Sequence, residues 1–315
     1  MPSTFGDVYR LVALHVPGAP ILLARTWVQQ AYDDLLGKRH WAWLRRETFL
    51  TTRASRSLSV TFTNASRSIT SAAGFLSTDV GRQIRVGSSG TPTYTIDTFT
   101  DTSTATLVEL YQGSSGAATA TISDVYLMMP EDFRSFEAVT DPTIQRPVAW
   151  WIARDRLDLF DPGRVASDTR LRVLASYELS QVQTYAGRVL YEAWPRPTAA
   201  GTYVLKYFTR GDALVDTDSF RGVLATKTGA LLEGALMRAA RWPGTPQLKN
   251  PYFSLALAKQ HQDNFLAQAQ DLNVMDDDQY LLDLQQVDLS KFGLAALSAD
   301  TTLMRQSDAT LADYY

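Results

Sequence analysis

The sequence predicts an α+β protein with a helical core formed by N- and C-terminal helices, a β-rich central region and an inserted small β-sandwich or barrel module. Three observations predict it. Apolar residues recur at helical spacing near both ends, period-two alternation marks the middle, and residues 51–124 are rich in serine and threonine without lysine. The boundaries are 1–57 for N-terminal helices, 58–125 for the β-module, 126–221 for the β-rich part, 222–276 for C-terminal helices and 277–315 for an extended arm.

Two helices are expected in the first forty residues. Thr4 is a suitable N-cap for a short helix, and Pro17 and Gly18 end it. Pro20 then begins a second helix, and Gly37 is a suitable residue for its C-terminal end. The apolar stripe of this second helix consists of Ala24, Val28, Ala31 and Leu35.

The β-module is predicted from short β-prone runs separated by turns. The runs are 58–63, 83–86, 93–99, 105–110 and 118–123. Val60 and Phe62, and likewise Tyr94 and Ile96, keep the period of two that half-buried strands require. The tetrapeptide Gly-Ser-Ser-Gly occurs at 87–90 and 113–116, and both copies are interpreted as hairpin connections.

Larger side chains mark the β-rich part, in which 150–153 and 171–174 are predicted as buried strands. A helix is predicted across the leucines that follow residue 222. A second helix follows Pro251 and carries Leu255, Ala258, Phe265, Leu266 and Ala269. The acidic run 276–278 is interpreted as a solvated helix end, and the weak pattern beyond it predicts an arm with one short helix.

Composition excludes several classes of protein. The 315 residues are 45% hydrophobic, which is enough for a large core. Cysteine is absent, so disulfides, thiolate metal sites and cysteine nucleophiles are excluded. The formal charge of −3 provides no global attraction to nucleic acid. No apolar run is long enough to predict a transmembrane helix, and no membrane partner is expected.

Catalytic patterns are scarce. The histidines are His15, His40 and His261, and none has a ligand-like spacing to another metal-binding residue. No nucleotide-binding loop or nucleophile elbow is present, so neither a metal nor a cofactor is expected. Glu131 and Asp132 form a candidate acid/base pair. Two acids after Pro130 are also typical of the first turn of a helix, which is the favoured interpretation.

The run of aromatic and basic residues at 41–46 is the most unusual local feature. One interpretation is contact with nucleic acid, in which tryptophan stacks and arginine neutralises phosphate. The other is an amphipathic segment in which Trp41 and Leu44 face the core while Arg45 and Arg46 extend to solvent. The second interpretation is favoured.

The order of these motifs resembles the head-to-tail adaptor proteins (connector, neck or head-completion proteins) of tailed double-stranded DNA bacteriophages. The helix 24–36, with Gln-Gln-Ala-Tyr at 29–32, and the Arg-His-Trp-Ala-Trp-Leu segment at 39–44 are similar to the family's Ala-Tyr helix and the segment after it. The β-module resembles one inserted in some members, through residues 60–64, 69–70, 80–86 and 94–96. Residues 127–134 and 192–197 resemble a Leu-Pro-x-Asp-Phe segment and an apolar-Pro-x-Pro turn.

This resemblance, over residues 20–270, implies a structural virion protein and not an enzyme. Family members form a homo-oligomeric ring, usually of twelve subunits, beneath the portal protein. The ring extends the channel for passing double-stranded DNA, without sequence specificity. It also offers a surface to the next tail component, such as a nozzle, stopper or tail tube. The resemblance therefore implies localisation in the virion neck or tail, after assembly in the bacterial host cytoplasm.

Two sets of contact residues are expected from this resemblance. The arm that would bind the portal or a neighbouring subunit carries Leu294, Leu297, Leu303, Leu311, Tyr314 and Tyr315. Subunit or DNA-channel contacts are expected at Arg39, Trp41, Arg45 and Arg46. The alternative is a receptor- or glycan-binding virion or surface protein that uses the β-module or Trp150 and Trp151. A hydrolase based on Glu131 or Asp132 is the third hypothesis.

Overall fold

The fold was obtained as a computed structural model that describes residues 4–72, 74–87, 92–211, 213–245 and 249–286. The α-helices are α1 Phe5–His15, α2 Ile21–Gly37, α3 Arg154–Phe160, α4 Gly229–Arg241 and α5 Leu255–Gln286. The strands are β1 Arg45–Thr52, β2 Arg56–Phe62, β3 Ser68–Thr70, β4 Gln83–Val86, β5 Thr93–Asp101, β6 Thr104–Leu107, β7 Gly116–Ser123, β8 Tyr126–Met128, β9 Phe133–Asp141, β10 Arg146–Pro147, β11 Ser167–Asp168, β12 Val173–Leu179, β13 Val189–Trp194, β14 Arg196–Pro197 and β15 Gly201–Thr209. The predicted α+β class is confirmed.

The chain divides into two compact units. The helical unit consists of residues 1–43 and 213–315, and the β-unit consists of residues 44–212. The helical unit therefore contains segments from both ends of the chain, as the sequence predicts for its terminal helices.

The helical unit is built on the predicted apolar stripes. Thr4 and Asp7 form a capping box at α1, in which each side chain accepts the other residue's backbone N–H at 3.2 Å. All four stripe residues of α2 are fully buried. α2 and α5 both pack against α4, so helices from the two ends of the sequence share one core.

α2, α4 and α5 approach closely at Gly234 of α4. A Cβ atom at this position would lie 2.8 Å from the Cβ of Ala31 and 3.1 Å from the ring of Phe265. Gly234 is itself buried. Glycine is therefore required here by the distance between helices, whereas the helix backbone alone would favour alanine.

The β-module is a closed six-stranded barrel with the strand order β2-β3-β6-β5-β4-β7. Val60, Phe62 and Ile96 point into its core, as the alternation predicts. The hairpin interpretation of 113–116 is wrong, because this segment joins β6 to β7, and β7 pairs instead with β2 and β4. The other Gly-Ser-Ser-Gly copy, at 87–90, follows β4, which pairs with β5. Its residues 88–90 lie outside the described residues.

Outside the barrel, the described β-unit contains two main sheets around one core and a short parallel sheet of β11 and β14. The four-stranded sheet has the order β1-β15-β9-β10, and the three-stranded sheet has the order β12-β13-β8. Their shared core includes Leu50, Phe136, Leu174 and Tyr203. The predicted strand at 150–153 is wrong: Ala149 pairs briefly with Val173, and the chain then leaves the sheet to enter α3.

A buried arginine lies where the chain enters and leaves the barrel. The Nε of Arg82 donates to Asp124 at 2.8 Å, and its Nη1 lies 3.4 Å from Asp79. Asp124 also accepts the backbone N–H of Arg53 at 2.6 Å, and the side chain of Arg56 donates to Asp79. The side chains of Arg82, Asp79 and Asp124 are almost wholly buried, so these charges are stabilised mainly by one another.

Replacing Arg82 by methionine should destabilise the β-unit by about 3 kcal/mol, because two buried carboxylates lose a cationic partner. Urea unfolding followed by circular dichroism measures this loss. The matched control is Arg67→Met, an exposed arginine of the same barrel, which should change stability by less than about 0.5 kcal/mol. Equal stability of the two variants would show that the buried cluster is not a constraint on the fold.

Gly234→Ala should cost about 1–3 kcal/mol, since the added methyl group meets α2 and α5 at the distances given above. Gly37→Ala is the matched control, because an added Cβ there meets no atom within 4 Å. It should stabilise the protein by about 0.5–1 kcal/mol through helix propensity. Thermal unfolding of both variants checks the opposite signs, and a stabilised Gly234→Ala would contradict the close packing.

Candidate assembly surfaces

Trp41 is a core residue of the helical unit. Its side chain is fully buried, its Nε1 donates to the backbone oxygen of Leu35 at 3.0 Å, and its ring stacks on Trp43 at 4.4 Å. Leu44 is also buried, so the amphipathic interpretation is confirmed for both apolar positions. Trp41 presents no surface to DNA or to another subunit while this unit is folded.

Arg39 joins the segment after α2 to α5. Its Nη1 donates to the backbone oxygen of Asn273 at 3.3 Å, and its Nη2 lies 3.6 Å from the carboxylate of Asp276. Asp276 also accepts the backbone N–H of Ala42 at 2.9 Å and is buried. The interpretation of 276–278 as a solvated helix end is therefore wrong for Asp276, because α5 continues to Gln286 and its buried face carries this carboxylate.

Arg45 and Arg46 belong to the β-unit and extend from β1. Arg45 pairs with Glu137 at 3.2 Å, and Arg46 pairs with Asp132 at 2.8 Å. Both side chains remain partly exposed, as the amphipathic interpretation expects. Their carboxylate partners neutralise much of the charge that a DNA phosphate would meet.

Glu131 and Asp132 lie in the turn between β8 and β9, so the predicted helix turn is wrong. Asp132 accepts a hydrogen bond from the Tyr207 hydroxyl at 3.0 Å in addition to its pair with Arg46. Glu131 extends to solvent and lies 3.5 Å from Arg188. The two carboxylates have different partners, and this geometry favours structural roles over joint acid/base chemistry.

His261 forms a hydrogen-bonded chain that the sequence analysis did not find. Its Nδ1 lies 2.7 Å from Glu233, and its Nε2 lies 2.6 Å from the hydroxyl of Tyr252. Burial raises the pKa of Tyr252, and the negative charge of Glu233 adds to this effect. Glu233 and His261 lie on different helices, α4 and α5, so no short motif could reveal the contact.

The helical unit exposes several large apolar side chains. Leu14 on α1 is 75% exposed, and Leu22 on α2 is 71% exposed, next to exposed Ile21. Leu255 and Val274 on α5 are 71% and 60% exposed. The β-unit exposes large apolar side chains as well, among them Phe49 and Leu159. Those of the helical unit are candidates for a surface that another protein covers.

α5 carries both buried and exposed apolar residues. The buried face contains Ala258, Phe265, Ala269 and Leu272. Leu255 and Leu266 are separated by about three helical turns and lie to one side of the buried face, and Val274 lies roughly 90° further around the helix. Of the apolar residues that the sequence analysis assigned to this helix, Ala258, Phe265 and Ala269 are buried, whereas Leu255 and Leu266 are exposed.

The two adjacent tryptophans of the β-unit have different environments. Trp150 packs against Phe136 with ring centroids 5.4 Å apart, whereas Trp151 is 49% exposed. The large aromatic side chains of the barrel core, including Phe62, Phe75 and Tyr94, are buried. Trp151 is therefore a better candidate for an aromatic ligand platform than these barrel residues.

The described residues contain no group of three histidine or carboxylate residues arranged to hold a metal ion. They also contain no helix that combines the length and hydropathy needed to span a membrane. The predicted contact residues Leu294, Leu297, Leu303, Leu311, Tyr314 and Tyr315 lie outside the described residues.

The chain was compared with known protein families and with curated proteins. No protein-family model matches it, and no curated protein matches it. Its function is therefore inferred from its own residues and geometry.

Proposed function

We propose that this chain is a structural subunit of a bacteriophage virion, a head-to-tail adaptor that forms a ring beneath the portal. In this role the ring extends the DNA channel and provides the attachment surface for the next tail component. The proposal continues the resemblance of residues 20–270 and assigns the chain no catalytic activity.

The observation that carries the proposal is that α5 exposes three apolar side chains, Leu255, Leu266 and Val274, in addition to its buried face. A helix that buries one face within its own unit gains nothing in water from further exposed apolar side chains. Burial of each such side chain against a neighbour contributes about 1.5–3 kcal/mol. A repeated heterologous contact produces a closed ring when its rotation closes on the first subunit.

Two other features support this role. The barrel is closed, so its strands have no exposed edge that would pair with other chains. Arg45 and Arg46 already have carboxylate partners, and the net charge of the chain is −3. A weakly charged wall suits a channel through which DNA must slide, because neutralised arginines hold phosphates less tightly.

Glycan binding is the second candidate, and the exposure of Trp151 is the observation that favours it. Sugar rings stack on exposed aromatic side chains, and Trp151 is the more exposed member of its pair. A glycan screen in which Trp151→Ala removes specific binding would support this function. Such a result, together with a chain that remains monomeric beside the portal, would replace the adaptor proposal.

The full chain, mixed with the portal protein encoded beside it, should give a saturable complex of one stoichiometry in native mass spectrometry. Deleting 287–315 should leave the described helices folded and abolish this complex, because the arm is proposed to bind the portal. The deletion begins after Gln286 so that α5 stays intact. A truncated chain that still docks normally would contradict the assignment of the arm.

Replacing Leu255, Leu266 and Val274 together by serine should raise the dissociation constant of the ring contact at least about 100-fold, since three buried apolar contacts are lost. Native mass spectrometry and sedimentation measure this change. Leu159→Ser is the control, because Leu159 is more exposed than any of these three residues but lies in the β-unit. Equal assembly of both variants would show that the exposed apolar side chains of α5 are not the subunit contact.

A further inference from the structure

A cavity of about 100 Å³ lies in the β-unit between barrel strands β4 and β5 and the segments around α3 and β13. This volume is several times the roughly 10–15 Å³ that one water molecule needs. The charged residues that line it are four arginines, Arg85, Arg154, Arg164 and Arg196, and two carboxylates, Asp158 and Glu192.

Two of these arginines use both carboxylates. Arg164 pairs with Glu192 through its Nε and with Asp158 through its Nη2 at 2.5 Å. Arg154 approaches the second oxygen of Glu192 at 3.1 Å and lies over the ring of Tyr177. Glu192 is almost fully buried and is compensated by two cations, so it has little capacity left for a third.

The other two arginines have no such compensation. Arg85 is only 8% exposed, and it donates to neutral acceptors, the hydroxyl of Thr93 at 3.3 Å and the backbone oxygen of Arg164 at 3.2 Å. The Nε of Arg196 is buried and has no hydrogen-bond acceptor. Within the part of the chain that the structure describes, neither Arg85 nor Arg196 forms an ion pair.

The electrostatics of Arg196 agree with this geometry. Burial lowers its pKa, and the positive charge of Arg85 lowers it further, while Asp161 acts in the opposite direction. The Asp161 carboxylate is itself engaged by the backbone N–H groups of Val165 at 2.8 Å and Ala166 at 2.9 Å. Two guanidiniums of like charge that face one cavity without a carboxylate partner repel each other, and an anion between them would relieve that repulsion.

We propose that this cavity binds a small oxyanion, of which inorganic phosphate is the simplest, through Arg85 and Arg196. The planar fork of a guanidinium matches two oxygen atoms of a phosphate or sulfate, and such charge-assisted hydrogen bonds are the strong ones. Arg85 is buried, and so is the Nε of Arg196. A small free anion can therefore reach these groups more readily than a backbone phosphate of duplex DNA can. The site does not depend on ring assembly.

Thermal unfolding of the full chain tests the site, with phosphate compared against chloride at equal ionic strength. Phosphate at roughly ten times its dissociation constant should raise Tm by about 3 °C over chloride, because a ligand bound only to the folded state stabilises it. Arg196→Gln and Arg85→Gln should each lose this increment. Arg67→Gln, the exposed arginine on the same barrel, should keep it.

The same variants separate a binding role from a structural one. In chloride alone, Arg196→Gln should unfold at the wild-type temperature or above it, because the change removes a buried, uncompensated charge. A lower Tm in chloride would indicate a structural arginine and overturn the proposal. The proposal would also be overturned if phosphate raised the Tm of the wild type no more than chloride does. Protection by a short DNA duplex but not by phosphate would assign the arginines to nucleic acid instead.

Discussion

The β-unit depends on the burial of Arg82 between Asp79 and Asp124. A buried charge is tolerated only when it is paired with opposite charges and hydrogen-bonded. The chain around this cluster must therefore bring Arg82, Asp79 and Asp124 together. Asp124 follows the last barrel strand, and it also binds the backbone of Arg53 just before the first strand. The two points where the chain crosses between the sheets and the barrel are thereby held together, so β1 ends and β8 begins at defined positions.

Groups that look reactive in the sequence are engaged in structural contacts. Asp132 binds Arg46 and Tyr207, and His261 lies between Glu233 and Tyr252. The helical unit also leaves large apolar side chains such as Leu14 and Leu255 exposed. These two observations support the proposed assembly role, because the polar groups already have partners in the folded chain and the exposed leucines do not.

Buried arginines in this protein have two different environments, and the contrast identifies where a ligand is expected. Arg82 and Arg164 are surrounded by carboxylates that the fold supplies. Arg85 is buried without such a partner, and the Nε of the partly buried Arg196 has no hydrogen-bond acceptor. Since a buried charge costs several kcal/mol unless it is compensated, the missing counter-charge is expected to come from outside the chain. Sequence alone cannot separate these cases, because all four are arginines within or beside β-prone segments.

The sequence by itself determined the local structure: the N-cap at Thr4, the buried stripe of α2 and the alternation of Val60 and Phe62 in the barrel. These features depend on residues a few positions apart, so periodicity and capping chemistry suffice to predict them. Tertiary structure alone decided which apolar residues of α5 are covered, that Asp276 is buried, and that Arg85 and Arg196 line one cavity. These outcomes depend on contacts between segments that are distant in the sequence. A helical or strand pattern predicts which residues share a face, but it does not predict which segment packs against that face.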